Sequence, residues 1–164
     1  MKRAFPLMVA ALLMLADQLS KLAVVAWIPV NTVGWASAGD FLWLVHVRNL
    51  GVAFSMGNNL PDWLRLSLFI VIPLVVMGAF LVFYWQDSSL TFLQRWGLAL
   101  IVSGGLGNQV DRIFRPEGVV DFLSFRLYGL FGMDRFAIFN VADACISVGG
   151  ALFVLSILLG MRKK

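Results

Sequence analysis

The chain has 164 residues, of which 60% are hydrophobic and 13% are charged, and its mean hydropathy is +0.87. This is more apolar surface than one small soluble core could bury, so the composition excludes an ordinary soluble protein and indicates a single-domain integral membrane protein. The formal net charge of +4 does not indicate a nucleic-acid-binding protein, because no basic cluster exceeds the terminal Arg162-Lys163-Lys164.

The first predicted helix covers residues 4–28, and a helix needs about 20 apolar residues to cross a bilayer. Lys2-Arg3 before this segment and Ala36-Ser37-Ala38 after it resemble parts of a cleaved secretory signal. The distance between them is too great for such a signal, so we expect the helix to be retained. Asp17 and Lys21 lie one turn apart on one face of the helix, where they can form an ion pair or hold a neighbouring loop.

The segment from residue 31 to residue 60 is polar and contains several glycines. Within it, Phe41–Arg48 is rich in β-branched and aromatic residues and approaches alternation at its end, which predicts a strand in a small sheet at the membrane surface. The single histidine, His46, lies in this strand. The sequence contains no second histidine to build a metal site with it, so we expect neither a metal nor a cofactor.

Three further helices are predicted, over residues 63–85, 90–112 and 136–160. Pro73 lies inside the second of these and should kink it unless a neighbour satisfies the carbonyl group that the proline leaves free. The charged segment between the third and fourth helices is too polar to span a membrane. Within that segment, Leu123–Phe131 predicts a short helix lying along the interface.

Four helices place both termini on one side of the membrane, together with the turn at Asp87. That side carries six of the 13 basic residues and one of the 9 acidic residues, so the opposite side carries 7 basic and 8 acidic residues. The basic residues alone do not decide the orientation. Because the acidic residues suggest that the opposite side's cations are paired locally, we expect both termini in the cytoplasm.

With this topology, polar residues from several elements converge at the outer face of the membrane. Asn108, Asp111 and Arg112 share one helix face by their spacing, and Asn140 and Asp143 share another. An ionised group at the bilayer centre costs roughly 3 kcal/mol on insertion scales, so such residues usually face a protein interior or a watery cavity and are functional.

Asp121 and Asp143 stand near the two ends of the short mixed segment from residue 118 to residue 143. We hypothesise that they meet in space and share a proton, because two neighbouring carboxylates cannot easily both ionise. The charged partner would draw a proton from water while the protonated partner polarises a scissile carbonyl, as in aspartic proteases. The sequence lacks a Ser-His pair and a plausible histidine base for its lone cysteine, which argues against triad chemistry.

Taken singly, intramembrane aspartates also serve ion pathways and helix packing. A small proton-coupled transporter and a non-catalytic membrane scaffold are therefore the alternatives to a peptidase. The polar residues gather at one end of the predicted bundle, and no polar trail follows the second helix, which argues against a pathway through the membrane.

Five motifs, in order along almost the whole chain, resemble those of the lipoprotein signal peptidase family, also called signal peptidase II. They are Asp17-Gln18-Leu19-Ser20-Lys21, Asn49-Leu50-Gly51-Val52-Ala53-Phe54, Gly107-Asn108-Gln109-Val110-Asp111-Arg112, Gly118-Val119-Val120-Asp121-Phe122 and Phe139-Asn140-Val141-Ala142-Asp143. The resemblance implies an all-α, four-helix aspartic endopeptidase of the bacterial inner membrane, with an extracytoplasmic β-cradle and a periplasmic helix. Its substrates would be diacylglyceryl prolipoproteins, cut by a water nucleophile just before the lipidated cysteine.

Carried over residue by residue, the resemblance makes Asp121 and Asp143 the catalytic dyad. The implied substrate-orienting residues are Asn49, Gly51, Asn108, Arg112 and Asn140, and the implied supporting residues are Asp17, Lys21 and Asp111. The implied partners are prolipoproteins, membrane lipids and cyclic peptide antibiotics that inhibit the family, such as globomycin, and nucleic acid is not among them.

The sequence departs from the family pattern at three places. Ser103-Gly104 stands where paired glycines are usual, Ala137 where a proline is common, and Ala144 where a serine is frequent. All the substitutes are small, so these departures bear on local backbone geometry more than on activity.

Overall fold

The computed structural model describes residues 3–50 and 61–161. Its helices are α1 (Ala4–Trp27), α2 (Asp62–Leu66), α3 (Ile72–Gln86), α4 (Phe92–Phe114) and α5 (Val141–Met161), and its strands are β1 (Val33–Ala36), β2 (Leu42–Asn49) and β3 (Val119–Phe125). Among the described residues, three helical segments are long and apolar enough to cross a membrane, namely Ala4–Trp27, Trp63–Gln86 and Val141–Met161. The predicted class, a mostly helical membrane protein with a small sheet, is confirmed.

The helix α4 has 23 residues but is less apolar than the other long helices, because protein covers it. It packs against α1, α3 and α5, and most of its residues from Arg95 to Asp111 are buried. Its backbone lies very close to that of α5: a Cβ atom on Gly97 would come within 2.8 Å of the Gly149 carbonyl oxygen. Small residues permit such close helix packing in membranes. The close packing brings the polar end of α4 beside the first turn of α5.

The helical chain from α2 to α3 continues past Pro73 through a π-helical turn at Ser67–Val71. Proline has no N–H, so the carbonyl of Phe69, four residues earlier, loses its usual helical donor. The Gln109 side chain of α4 replaces that donor, with its Nε2 2.9 Å from the Phe69 oxygen. A neighbouring helix therefore satisfies the carbonyl that the proline leaves free.

The three strands form one antiparallel sheet in the order β1-β2-β3. β2 matches the strand predicted over Phe41–Arg48. The sheet lies against the end of α1, where Val24 packs with Val120 and Phe122 of β3. His46 is buried in β2, and its Nδ1 lies 2.7 Å from the Ile28 carbonyl oxygen, so it helps to join the sheet to the end of α1.

The interfacial helix predicted over Leu123–Phe131 is wrong, because this segment begins inside β3. There Phe125 pairs with Leu42 of β2, while Leu123 exchanges backbone hydrogen bonds with Phe139 on its other side. Sheet pairing thus satisfies the backbone groups that a helix would have satisfied internally. Only a 3-10 turn at Leu130–Gly132 is helical in this stretch.

The last helix begins at Val141, later than the predicted start near Phe136. The residues before it are extended, because Phe139 and Phe136 donate backbone hydrogen bonds to Leu123 and Phe125 of β3. This extended segment places the beginning of α5 directly beside β3.

Candidate active site

Asp121 lies within β3, opposite Val47 of β2, and is 4% exposed. Two amide groups donate hydrogen bonds to its carboxylate: Asn140 Nδ2 lies 2.7 Å from Oδ1, and Asn49 Nδ2 lies 3.1 Å from Oδ2. Each carboxylate oxygen therefore has a donor from a different element of the fold, which holds the group in one orientation.

Asp143 lies in the first turn of α5 and forms a reciprocal cap with Asn140. The Asn140 backbone N–H donates to Asp143 Oδ2 at 3.1 Å, and the Asp143 backbone N–H donates to Asn140 Oδ1 at 2.9 Å. This is the capping-box arrangement, in which two side chains satisfy the first backbone donors of a helix. Asn108 Nδ2 from α4 donates to the other oxygen, Oδ1, at 2.8 Å. Asn140 thus contacts both carboxylates of the predicted dyad.

The electrostatic environment of Asp121 favours its protonated form. Burial, followed by the negative charge of Asp143, raises the pKa of Asp121 from 3.8 to about 6, while the hydrogen bonds from Asn49 and Asn140 and the charge of Lys21 act in the opposite direction. Asp143 has a different environment, because it lies in the first turn of α5 at the N-terminal end of the helix dipole. Two carboxylates in unequal environments can hold one proton between them and act as a general acid and a general base.

Both carboxylates line one cavity of about 580 Å³ between α4, β3 and α5. The cavity reaches Ile146 and Val148 of α5, which are 37% and 53% exposed, so it opens onto the apolar outer surface of that helix. A second cavity, of about 600 Å³, shares Asp121 with the first and extends over the sheet. Both carboxylates are therefore reachable from the exposed apolar side of α5, and Asp121 is also reachable from the sheet.

Behind the carboxylates lies a buried cluster of Asp17, Lys21 and Asp111, each at most 1% exposed, which we call the Lys21 cluster. Lys21 Nζ contacts Asp17 Oδ2 at 2.8 Å and Asp111 Oδ2 at 3.0 Å. It also donates to Asn108 Oδ1 at 2.9 Å. An ammonium group has three donors, so this lysine is satisfied and its charge is compensated.

The two acidic members of the Lys21 cluster also accept backbone hydrogen bonds. The Val120 N–H donates to Asp111 Oδ2 at 3.1 Å, and the Ala142 N–H donates to Asp17 Oδ1 at 2.9 Å. The cluster therefore joins α1 and α4 to β3 and to the first turn of α5.

The structure brings together most of the residues that the sequence singled out. Asn49, Asn108 and Asn140 contact the two carboxylates, Arg112 lines the same cavity, and Asp17, Lys21 and Asp111 form the cluster behind it. Gly51 lies outside the described residues.

Two members of this region were missed by sequence reasoning. Gln18 Nε2 lies 3.1 Å from Asp17 Oδ2 and 3.3 Å from Asp111 Oδ1, and Arg115 forms an ion pair with Asp111. Gln18 belongs to the first motif, but Arg115 belongs to none of the five, so only its position one turn after Asp111 could have indicated it. The described residues contain no group of three or more acidic, histidine or cysteine side chains that could hold a metal ion.

The sequence profile described as Signal peptidase (SPase) II matches residues 9–159. A curated relative named "Lipoprotein signal peptidase" from Treponema pallidum (strain Nichols) is 41% identical over 151 residues, which cover 92% of this chain and 81% of the relative. The chain belongs to the signal peptidase II family. A lipoprotein signal peptidase of Borrelia hermsii (strain HS1 / DAH) is 40% identical over 93% of this chain and 88% of its own length.

Solved structures with the same fold include two bacterial membrane enzymes. One, at 2.3 Å resolution, has a TM-score of 0.84 and 24% identity, covering 98% of this chain and 92% of that one. The other, at 1.9 Å, has a TM-score of 0.80 and 24% identity, covering 94% of this chain and 93% of that one. The resemblance of the motifs to signal peptidase II is thus confirmed, and the apolar helices fit a multi-pass bacterial membrane protein. Membership in a peptidase family favours the peptidase hypothesis over the transporter and the scaffold.

Proposed function

We propose that this protein removes the signal peptide from diacylglyceryl-modified prolipoproteins, cutting just before the lipidated cysteine, with Asp121 and Asp143 as the catalytic dyad. The observation that carries the proposal is that Asn140 holds the buried Asp121 carboxylate and the half-buried Asp143 carboxylate in one cavity, which opens onto the exposed apolar side of α5. Family membership supports the reaction, and the geometry supports the choice of residues.

In the proposed mechanism, Asp143 is the ionised partner and Asp121 carries the proton. Asp143 takes a proton from a water molecule, whose oxygen attacks the scissile carbonyl carbon. Asp121 gives its proton to the carbonyl oxygen, which yields a neutral tetrahedral intermediate. Asp143 then gives its proton to the leaving nitrogen as the C–N bond breaks, and Asp121 takes a proton from one hydroxyl of the intermediate. One water is consumed, and the dyad returns to its starting form with Asp121 protonated and Asp143 ionised. The raised pKa of Asp121 and the helix-capping position of Asp143 support this assignment.

The substrate needs to be positioned rather than recruited from solution. Its acyl chains and its signal helix keep it in the bilayer, so the enzyme has to hold one peptide bond at the dyad. In our proposal, Asn49, Asn108 and Arg112 orient that bond from the cavity wall. Cyclic peptide antibiotics such as globomycin would inhibit by occupying the same cavity.

Cleavage of a purified diacylglyceryl prolipoprotein tests the proposal. Asp121→Asn and Asp143→Asn should each lower kcat by roughly 10²- to 10⁴-fold, the usual contribution of a positioned acid or base. Asp134→Asn is a matched control, because that carboxylate is 67% exposed and pairs with Arg126. If either dyad variant cleaves at a near-normal rate while folded, that residue has no catalytic role.

We also propose that the chain crosses the inner membrane four times, with both termini in the cytoplasm and the dyad near the extracytoplasmic face. α4 would be the fourth span, since its polar side chains are covered by α1, α3 and α5. The side with the termini carries six basic residues and one acidic residue, whereas the opposite side carries 7 basic and 8 acidic residues, and this net positive charge supports the orientation.

Thiol labelling in intact cells, or in spheroplasts where an outer membrane is present, tests this topology. In a Cys145→Ala background, a cysteine at the exposed position of Glu117 should react with an impermeant reagent, whereas a cysteine at Ser88 should not. The opposite pattern would put the dyad on the cytoplasmic side and would refute the proposed access to translocated prolipoproteins.

A further inference from the structure

We infer that Lys21 is a positioning residue, which sets the separation and orientation of the two catalytic carboxylates by joining Asp17 to Asp111. This inference rests on the proposed function and deepens it. Lys21 itself does not line the 580 Å³ cavity. Its effect on the reaction must therefore pass through the residues that it holds.

The backbone contacts of the Lys21 cluster are arranged symmetrically with respect to the two catalytic carboxylates. Asp111 accepts the N–H of Val120, the residue immediately before Asp121. Asp17 accepts the N–H of Ala142, the residue immediately before Asp143. Each supporting carboxylate thus holds the backbone one residue away from one member of the dyad.

Lys21 connects these two attachments. Its Nζ lies 2.8 Å from Asp17 Oδ2 and 3.0 Å from Asp111 Oδ2, so one ammonium group bridges the two carboxylates. All three side chains are buried, where charge-assisted hydrogen bonds are strong and water does not compete for them. The bridge therefore connects the backbone of β3 to that of α5 immediately beside the dyad.

A second set of contacts runs from Lys21 to the dyad through side-chain amides. Lys21 donates to Asn108 Oδ1, which fixes the Asn108 amide so that its Nδ2 points to Asp143 Oδ1 at 2.8 Å. The same Asn108 oxygen accepts Asn140 Nδ2 at 3.2 Å, and Asn140 Nδ2 also donates to Asp121. The lysine thus selects the amide orientation in which both catalytic carboxylates receive donors.

The alternative is that Lys21 merely neutralises Asp17 and Asp111, as any buried cation near them would. Arg115 provides a charge-matched comparison within the same region. It pairs with Asp111 and contacts Gln18 Oε1 at 3.3 Å, but its side chain is 17% exposed and it does not join Asp111 to Asp17. Removing either cation deletes one positive charge, whereas removing Lys21 also deletes the bridge.

The experiment compares Lys21→Met, Arg115→Met and the double variant Lys21→Met with Asp17→Asn, using purified enzyme and diacylglyceryl prolipoprotein. Lys21→Met should lower kcat by about 100-fold with KM changed by less than about threefold, because small displacements of catalytic groups cost rates of this order. Arg115→Met should keep kcat within about threefold of the parent. Melting temperatures report the stability of each variant independently of turnover.

The double variant separates positioning from charge compensation, and it also serves if Lys21→Met does not fold. It removes one buried cation and one buried anion, so stability should recover while kcat stays about 100-fold low. Recovery of both stability and kcat would overturn the inference, as would a normal kcat in Lys21→Met. Cleavage by the wild-type enzyme and its loss in Asp121→Asn test the proposed peptidase function. The Lys21 variants test only the positioning role, so either hypothesis can fail without the other.

Discussion

The charge on Asp121 opposes folding, so replacing this residue should stabilise the protein while inactivating it. Burial and the charge of Asp143 raise the pKa of Asp121 from 3.8 to about 6. At 1.36 kcal/mol for each pH unit, this difference amounts to about 3 kcal/mol. Between these two values the folded state binds more protons than the unfolded state, so the free energy of unfolding falls as the pH rises from about 4 to about 6. Above about pH 6 the charged Asp121 lowers the free energy of unfolding by the full amount of about 3 kcal/mol.

Asp121→Asn removes this titration but also places an amide NH₂ group against the donors of Asn49 or Asn140. A lost hydrogen bond costs about 1 kcal/mol, which leaves a net gain of about 2 kcal/mol above pH 6. For a chain of this length that gain raises Tm by about 4–8 °C. Below pH 4 Asp121 is protonated in both the folded and the unfolded state, so only the lost hydrogen bond distinguishes the two proteins. The parent should then be about 1 kcal/mol more stable than the variant.

Thermal unfolding of both purified proteins in the same detergent, at intervals from pH 4 to pH 8, measures this difference. Titrating groups that do not interact with Asp121 contribute equally to the two proteins and cancel. Asp134→Asn serves as the control, because it removes an exposed carboxylate instead of a buried one. A Tm difference that stays constant over this pH range would refute the reasoning, because Asp121 would then have an ordinary pKa in the folded state.

Three other predictions concern the site and its support. kcat/KM should fall as the pH rises through about 6, because the free enzyme loses the proton of Asp121, and a flat profile from pH 5 to pH 8 would contradict the assigned roles. Arg112→Lys should lower kcat by about 10- to 100-fold, because an ammonium group cannot reproduce the planar, forked hydrogen-bond donors of a guanidinium group. An unchanged kcat would show that Arg112 acts only as a positive charge at the interface. Gln109→Leu should cost about 1–3 kcal/mol of stability with kcat unchanged, because the Phe69 carbonyl loses its donor; an unaltered Tm would show that another group satisfies this carbonyl.

The long helices were predictable because a helix that faces lipid is apolar over most of its length. α1, α3 and α5 follow from that rule. α4 could be predicted as a helix, although its burial against three other helices removes the demand for an apolar surface. Its polar residues therefore mark a protein interface and the edge of the site, and they lie on the faces that their helical spacing indicates.

β3 was not predictable from alternation, since Val119, Val120, Asp121 and Phe122 are all buried. A strand covered on both faces loses the two-residue period that identifies a half-exposed strand. The strand β2 was recognised because the segment Phe41–Arg48 is rich in β-branched and aromatic residues and approaches alternation at its end. Sheet pairing of β3 depends on β2, which lies far away in the sequence, and no local pattern contains that information.

The start of α5 did carry a local signal. An asparagine followed three residues later by an acidic residue, before an apolar run, is typical of a capped helix start. Asn140 and Asp143 have this spacing, and the structure shows the reciprocal hydrogen bonds of the cap. Interpreting the pair only as residues on one helix face placed the helix start too early. The contacts of Gln18 with Asp111 and with Arg115 had no such signal, because they depend on how α1 packs against α4.

Asn140 shows why the helix cap and the dyad are one structure. Its Oδ1 has to accept the N–H of Asp143, and its Nδ2 has to donate to Asp121, so the position needs an acceptor and a donor on the same short side chain. Aspartate would supply the acceptor but would place a third carboxylate among two others, and alanine would supply neither group. A serine could cap the helix, but a single hydroxyl could not also reach Asn108 and Asp121. Asn140, the residue that caps α5, is therefore also the residue that holds the Asp143 carboxylate in a fixed position relative to Asp121 in β3.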